Sequence, residues 1–442
     1  MTGYGVATSA YQVEGAVDVD GRGRSTWDEF CTRPGAVLDG SDGSIACDSY
    51  HRVEDDLALL VELGVDAYRF SVAWPRVQPS GTGPANAAGL DHYDALVDRL
   101  LAKGIRPFPT LFHWDLPLAL EQAGGWPSRE TALRFADYAT LVTERLGDRV
   151  PTWATMNEPW CTAFLGHAAG VFAPGVRDPQ QAFDAAHHLL LGHALAADAV
   201  RAQRPGLEVG IVLNLTVVHA ESDAPLDAVD LVDAMQNRLW LEALVHGTYP
   251  TVLPMLARHA DEVAQVRRSA DWLGINYYTP FRVGAPAPAA GAVGQDVDAY
   301  PGAPDFSFRP RPPLTTMGWE VQAEGLLDTL RQTAARAPGL PLRITENGGA
   351  FPDVGAQDAD RIDYLRTHLA ALERAQREEG IEVLDYFAWS LLDNFEWAQG
   401  YTQRFGLVAV EPGTLRRVPK ASFRWYADHI VASRRDAGGT PP

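Results

Sequence analysis

Short apolar runs alternate along this chain with longer stretches in which apolar residues recur every three to four positions. Eight short runs have strand character: "YGVATS" (4–9), "DAYRFS" (66–71), "RPFPTLF" (106–112), "PTWATMN" (151–157), "EVGIVLNL" (208–215), "DWLGINYY" (271–278), "LPLRITE" (340–346) and "LDYFAWSL" (384–391). Helical periodicity lies between them. "DSYHRVEDDLALLVELG" (48–64) spaces Val53, Leu57, Leu60 and Val61 for one helix face and closes on Gly64, suited to a left-handed C-cap. "HYDALVDRLLAKG" (92–104) ends on Gly104, and "DADRIDYLRTHLAALERAQREEG" (358–380) ends on Gly380. "SRETALRFADYATLVTERLG" (128–147) opens with Ser128 and Thr131 as cap candidates and ends on Gly147.

Strands alternating with helices predict a parallel sheet, and eight such units close a (β/α)8 TIM barrel. The competing architecture, an open doubly wound sheet, calls for a Gly-rich turn after its first strand. "GVATSAYQVEGA" contains no GxGxxG. The expected fold is therefore α/β: one barrel domain over residues 1–442, with extended βα loops at the C-terminal face. The Pro-, Ala- and Gly-rich stretch 282–316 has little periodicity and follows the sixth strand. It is expected to be an irregular lid over the barrel mouth, with a loose surface insertion as the alternative.

Composition narrows the partners. The 442 residues hold 37 Lys+Arg against 57 Asp+Glu, a formal charge of −20. Nucleic acid and anionic membrane surfaces both need a basic face, so neither is an expected partner. No run approaches the roughly 18 apolar residues of a membrane helix. "MTGYGVATSAYQ" lacks a basic region followed by an apolar core, the mark of a secretory signal. Cys31, Cys47 and Cys161 include no CxxC pair, which fits a reducing, cytoplasmic setting. No feature points to an oligomeric state.

Barrel enzymes build their sites at the C-terminal ends of the strands. Those positions here carry Gln12 and Glu14; Arg69; His113 and Trp114; Asn157 and Glu158; Asn214; Asn276, Tyr277 and Tyr278; Glu346 and Asn347; then Trp389, Glu396 and Trp397. Any one of them suits a structural hydrogen bond. Eight converging polar or aromatic ends are harder to explain as packing, because buried polar groups without partners cost free energy. Amides and carboxylates match the hydroxyl edges of a sugar, and indoles match its C–H faces. The chain has 12 Trp to supply such platforms. His187, His188 and His193 in "AAHHLLLGHA" have spacings that do not converge on one helix face. They are expected to pack a helix against the barrel, and no metal is expected.

Glycoside hydrolysis needs one carboxyl group that protonates the leaving oxygen and a second that attacks or directs water. Glu158 and Glu346, ending strands four and seven, are the best pair. Glu158 has no Lys or Arg beside it in sequence, as suits a proton carrier. Arg69 and the Tyr278 hydroxyl are candidates for keeping Glu346 ionised, and Asn157 for gripping the 2-hydroxyl. Taken alone, "ITENGG" also reads as a strand followed by an ordinary Asn-Gly turn.

The segments "GVATSAYQVEG", "YRFSVAWPR", "FHWDLP", "TMNEPW", "GINYYT", "ITENGG", "WSLLDNFEW" and "RFGLV" run in order from residue 5 to about 410. In them the sequence resembles the family 1 glycoside hydrolases, the β-glucosidase family. The resemblance implies a single (β/α)8 barrel and a retaining β-glycosidase needing no cofactor. It implies Glu158 as acid/base and Glu346 as nucleophile, tuned by Arg69 and Tyr278. Gln12, His113, Asn157, Glu396 and Trp397 would bind the glycone and Trp389 would stack beneath it. Trp319 would line the leaving-group site, with Asn214 as a neighbour. Trp114, Asn276 and Phe405 of "RFGLV" complete the substrate-binding set.

Tyr4 stands where the family commonly has Trp. Members acting on 6-phosphorylated sugars replace the "FEW" acid; Glu396 would repel a phosphate, so an unphosphorylated glycone is expected. Plant thioglucosidase relatives carry Gln at the acid/base position, which here is Glu158. The expected substrate is a β-glycoside or oligosaccharide with a terminal glucose, with galactosides and fucosides tolerated. A transglycosylase would use the same intermediate, and a noncatalytic sugar-binding barrel would lack one of the carboxylates.

Overall fold

The computed structural model describes residues 2–288, 292–353 and 356–436. Eight parallel strands close into a barrel in the order 1-8-7-6-5-4-3-2: Gly3–Ala7, Ala67–Ser71, Arg106–Phe112, Thr152–Asn157, Glu208–Leu213, Trp272–Tyr277, Leu342–Asn347 and Val383–Trp389. The first and last pair in register from Gly3 opposite Asp385 to Ala7 opposite Trp389, which seals the cylinder. The eight expected runs supply the eight strands, with ends shifted by one or two residues.

Large and small residues alternate inside the barrel. Phe108, Trp272 and Phe387 fill the floor, while Ala7, Ala67 and Ala154 make room for them. Gly210 belongs to the same logic: a Cβ there would lie 2.3 Å from the Trp272 indole. The Arg343 guanidinium sits over Trp272 at 5.2 Å and that of Arg106 over Phe108 at 5.9 Å, and both pair with the buried Asp385.

Four expected helices are present as Val53–Leu63, Ala87–Ala102, Arg129–Leu146 and Ala359–Glu379. Gly64 and Gly380 adopt the left-handed cap, but Gly147 remains right-handed. Ser128 makes no capping bond; Thr131 instead donates its hydroxyl to the Gly125 carbonyl at 2.5 Å. In the first helix Val61 faces solvent, and the buried stripe runs through Leu57, Leu60 and Leu63. At about 100° per residue, position 61 lies about 100° from Leu60 and about 160° from Leu63, so it falls outside the stripe they centre, with Leu57 at its edge.

Segment 282–316 is more ordered than its composition suggests. Phe281–Gly284 pairs with Val218–Ala220 on one side and with Ser307–Phe308 on the other, forming a small three-stranded sheet. Residues 289–291 lie outside the described part. Val293, Gly294 and Gln295 reach the cavity at the barrel mouth, as a covering segment would. The irregular character expected for the whole stretch is thus corrected. Backbone pairing with a second βα loop supplies the order that local periodicity lacks.

Candidate active site

The strands that carry the two carboxylates both lose regular pairing just before delivering them. Register shifts between Ala154 and Asn157 in strand four and between Ile344 and Glu346 in strand seven. Such irregularities re-aim side chains at the ends of sheets. Glu158 itself takes a positive φ of 44°, uncommon for a residue with a Cβ. Its N–H still bonds the Val212 carbonyl at 2.9 Å, so the strand ladder holds the backbone while the side chain turns inward. The chain then enters a π-helical turn, Cys161–Leu165, which sets the Cys161 thiol 3.1 Å from Glu158 Oε2.

A continuous hydrogen-bond chain links the strand ends. Arg69 donates to Glu346 Oε1 at 2.5 Å and to Asn157 Oδ1 at 2.8 Å. The Tyr278 hydroxyl donates to Glu346 Oε2 at 2.5 Å. Asn276 Nδ2 donates to Glu158 Oε1 at 2.7 Å and to Asn157 Oδ1 at 3.0 Å, while its Oδ1 accepts from Thr345. Asn157 Nδ2 lies 3.0 Å from His113 Nε2. Burial, with Arg69 adding to it, holds the His113 pKa well below its usual range, so the ring is neutral. Nε2 then accepts from Asn157 and Nδ1 carries the proton. Nδ1 is buried with no protein partner, in a residue that lines the cavity.

The buried Glu158 and Glu346 and the half-buried Glu396 share a cavity open to solvent at its mouth, and among the described residues the guanidinium paired with them is that of Arg69. They do not all ionise together in a site of low dielectric. Burial, aided by the Glu346 charge, raises the Glu158 pKa to about 7. Burial and both other carboxylates raise Glu396 to about 8. Burial also raises Glu346, but Arg69 and Tyr278 oppose it. The negative charge therefore belongs on Glu346, and Glu158 keeps its proton.

His113, Trp114, Asn157, Asn214, Asn276, Tyr278, Trp319, Trp389, Glu396, Trp397 and Phe405 line this cavity together with both carboxylates. Five of the strand-end residues do not. Gln12 stands behind the wall, donating to the Phe395 carbonyl at 2.9 Å and to Glu396 Oε2 at 3.4 Å. It is placed to orient Glu396. Glu14 turns away to Arg76 at 3.0 Å and to the Tyr93 hydroxyl. Tyr277 and Asn347 bond each other's strands outside the mouth. Arg69 reaches the site from beneath, through Glu346.

The sequence reading passed over Cys161, Gln236, Gln295 and Phe172, all of which line the cavity. Only Cys161 had a local signal, three residues after Glu158. The others come from loops whose paths are set by tertiary packing. His193 behaves as expected and bonds Thr155 of strand four at 2.8 Å, holding its helix on the barrel. His187 and His188 depart from that expectation and join side chains from a distant segment.

A closed (β/α)8 barrel that presents a protonated and an ionised carboxyl group across a polar, indole-walled cavity is the architecture of a glycoside hydrolase. The sequence profile of glycosyl hydrolase family 1 matches residues 3–435, and the chain belongs to that family. It is 45% identical over 455 residues to a bifunctional beta-D-glucosidase/beta-D-fucosidase of Bifidobacterium breve, covering 96% of this chain and 97% of that one. It is 42% identical to beta-glucosidase A of Thermotoga maritima, covering 97% and 96%. A solved structure of the Thermotoga maritima beta-glucosidase in complex with glucoimidazole superposes with a TM-score of 0.90, at 41% identity, over 97% of this chain and 98% of that one.

Proposed function

We infer that the protein is a retaining β-glucosidase that removes terminal β-linked glucose, and β-fucose or β-galactose held by the same glycone contacts. The observation that carries this reading is the unequal surroundings of Glu158 and Glu346. One is buried with only amide and thiol donors around it, and the other is clamped between Arg69 and Tyr278.

Glu158 gives its proton to the glycosidic oxygen as Glu346 attacks the anomeric carbon. The C–O bond to the aglycone breaks and a glycosyl ester forms on Glu346. Water then takes the vacated aglycone position and gives a proton to the Glu158 carboxylate. Its oxygen attacks the anomeric carbon and releases Glu346, so two inversions return the original configuration. The neutral Glu346 ester no longer raises Glu158, which suits it to the base role in this second half. Glu396 stands in the cavity wall where members acting on 6-phosphorylated sugars carry another residue, which supports an unphosphorylated glycone. Three free cysteines, two of them buried, support the cytoplasmic placement.

Hydrolysis of chromogenic aryl β-glucoside, β-galactoside, β-fucoside and 6-phospho-β-glucoside tests the reading. The glucoside and fucoside should turn over and the phosphorylated sugar should not. Inactivity on all four would overturn it. Proton NMR of the first-released sugar should show the β anomer.

A further inference from the structure

Strand six ends at Tyr277, one residue before the tyrosine whose hydroxyl holds Glu346. The last ladder pair between strands six and seven is Tyr277 with Asn347. Beyond it, side chains take over from the sheet. Asn347 donates Nδ2 to the Tyr277 carbonyl at 2.7 Å. The Tyr364 hydroxyl, from helix Ala359–Glu379, donates to the Tyr278 carbonyl at 3.1 Å. Two successive carbonyls are thus held where the chain leaves the barrel and turns toward the site.

The two holding side chains also fix each other. Asn347 Nδ2 donates to the Tyr364 oxygen at 3.1 Å, and Tyr386 of strand eight donates to Asn347 Oδ1 at 2.8 Å. A carbonyl can only accept, so the Asn347 amide must turn its NH2 group to Tyr277. The Tyr364 oxygen accepts the second of those protons and directs its own at Tyr278. Its ring stacks on His368 at 3.7 Å and meets Phe351 at 5.9 Å. Asn347, Tyr364 and Tyr386 are fully buried, and none of them lines the catalytic cavity.

Tyr278 itself has no comparable anchor for its ring. Trp319 and Phe405 pack against it at 5.3 and 6.0 Å, contacts that limit tilt and bond nothing. The phenol oxygen stands at the far end of the ring, so a small turn of the backbone displaces it much further than the Cα. Hydrogen bonds weaken steeply with such misalignment.

We propose that Tyr364, supported by Asn347, is a positioning residue for the nucleophile: it fixes the backbone at Tyr278 so that the phenol meets Glu346 Oε2. The inference rests on the retaining-glycosidase reading and extends the support of Glu346 to a helix on the outside of the barrel. Glu346 is faced by Arg69 from strand two, Glu158 and Cys161 from strand four and the turn after it, Asn276 and Tyr278 from strand six and just beyond, and Glu396 after strand eight. Among these, Tyr364 bonds Tyr278.

Four proteins test this: the parent, Tyr364→Phe, Tyr278→Phe and the double variant, each followed as kcat/KM on an aryl β-glucoside against pH. Phenylalanine at 364 keeps the ring between His368 and Phe351 and removes only the hydroxyl. The Tyr278 hydroxyl favours the ionised form of Glu346, and activity needs that form. Losing the bond should therefore move the acidic limb to higher pH, by about one unit in Tyr278→Phe. Tyr364→Phe should move it the same way by about half a unit, which lowers kcat/KM on the acidic side about threefold. In the Tyr278→Phe background, Tyr364→Phe should cause no further movement. A limb that stays at the parent's position in Tyr364→Phe overturns the proposal, and so does a shift of equal size with and without the Tyr278 hydroxyl, which would act through strand seven itself. Either result comes from an active parent enzyme and leaves the glycosidase reading standing, whereas a parent inactive on every glycoside overturns that reading.

Discussion

The Cys161 thiol donates to Glu158 Oε2 at 3.1 Å, from a turn that begins three residues after the acid. Burial and the Glu158 charge hold the thiol pKa well above its usual range, so it remains a neutral donor. A donor favours the carboxylate form of its partner, and this bond pulls the Glu158 pKa down against burial. Cys161→Ala should therefore raise it. The basic limb of kcat/KM against pH should move upward by a few tenths of a unit to about one unit, with little change in KM. A limb that stays in place would show that the bond is not maintained in the working enzyme.

The pH profile itself follows from Glu158. The acid must be protonated, and burial together with Glu346 lifts its pKa from the ordinary carboxylate range to about 7. Activity should thus persist through mildly acidic pH and fall as the pH rises past about 7, by roughly tenfold per unit once the group is ionised. Glu158→Ala should abolish this limb. It should also preserve turnover chiefly for aryl glycosides whose leaving groups need no proton.

Removing Glu346, the proposed nucleophile, should be more severe. Glu346→Gly should lower kcat by about 10³-fold or more, since no other group can form the ester. Added azide should restore turnover and yield the α-glycosyl azide by a single inversion. Rescue with a β product would mean that Glu346 is not the attacking group.

Arg69 bonds Glu346 at 2.5 Å and the carboxylate has only Tyr278 as another strong donor. Arg69→Met should let burial dominate and raise the Glu346 pKa. The acidic limb, where loss of activity reports protonation of the nucleophile, should shift to higher pH and narrow the bell. Because the pair is fully buried, a stability loss of about 3–5 kcal/mol is also expected. The limb shift is the outcome that distinguishes tuning from scaffolding.

A second buried ion cluster braces the segment that carries Phe405, where the Gly406 N–H bonds Asp393 Oδ1 at 2.9 Å. Lys420 is fully buried, with its Nζ 2.8 Å from Asp393 and 2.6 Å from Asp353. Lys420→Met leaves Asp393 without its ion-pair partner and Asp353 with Arg361 alone, and should cost about 3–5 kcal/mol, read as a lower urea midpoint. kcat on aryl glucosides below the transition should be retained.

What the chain's own pattern determined is the barrel and its rim. Eight apolar runs are short enough to be strands and are spaced by helical periodicity. A closed parallel sheet necessarily brings all their C-terminal ends to one mouth. Glu158, Glu346, His113, Asn157, Asn276 and Trp389 were legible for that reason, since each ends an apolar run or follows it directly. Direction beyond the strand was not legible. Gln12, Glu14 and Asn347 occupy equivalent sequence positions yet face other partners, because bulges and loop packing decide where a side chain points. The ranking of Glu158 above Glu346 in proton affinity also needed the folded site, where Arg69 from strand two lies against one carboxyl group and not the other. Backbone pairing between βα loops ordered segment 282–316. The convergence of His187 and His188 with His259 and Glu262 came from a helix meeting a distant turn. Periodicity records what neighbours along the chain share, and only tertiary packing decides which distant groups meet.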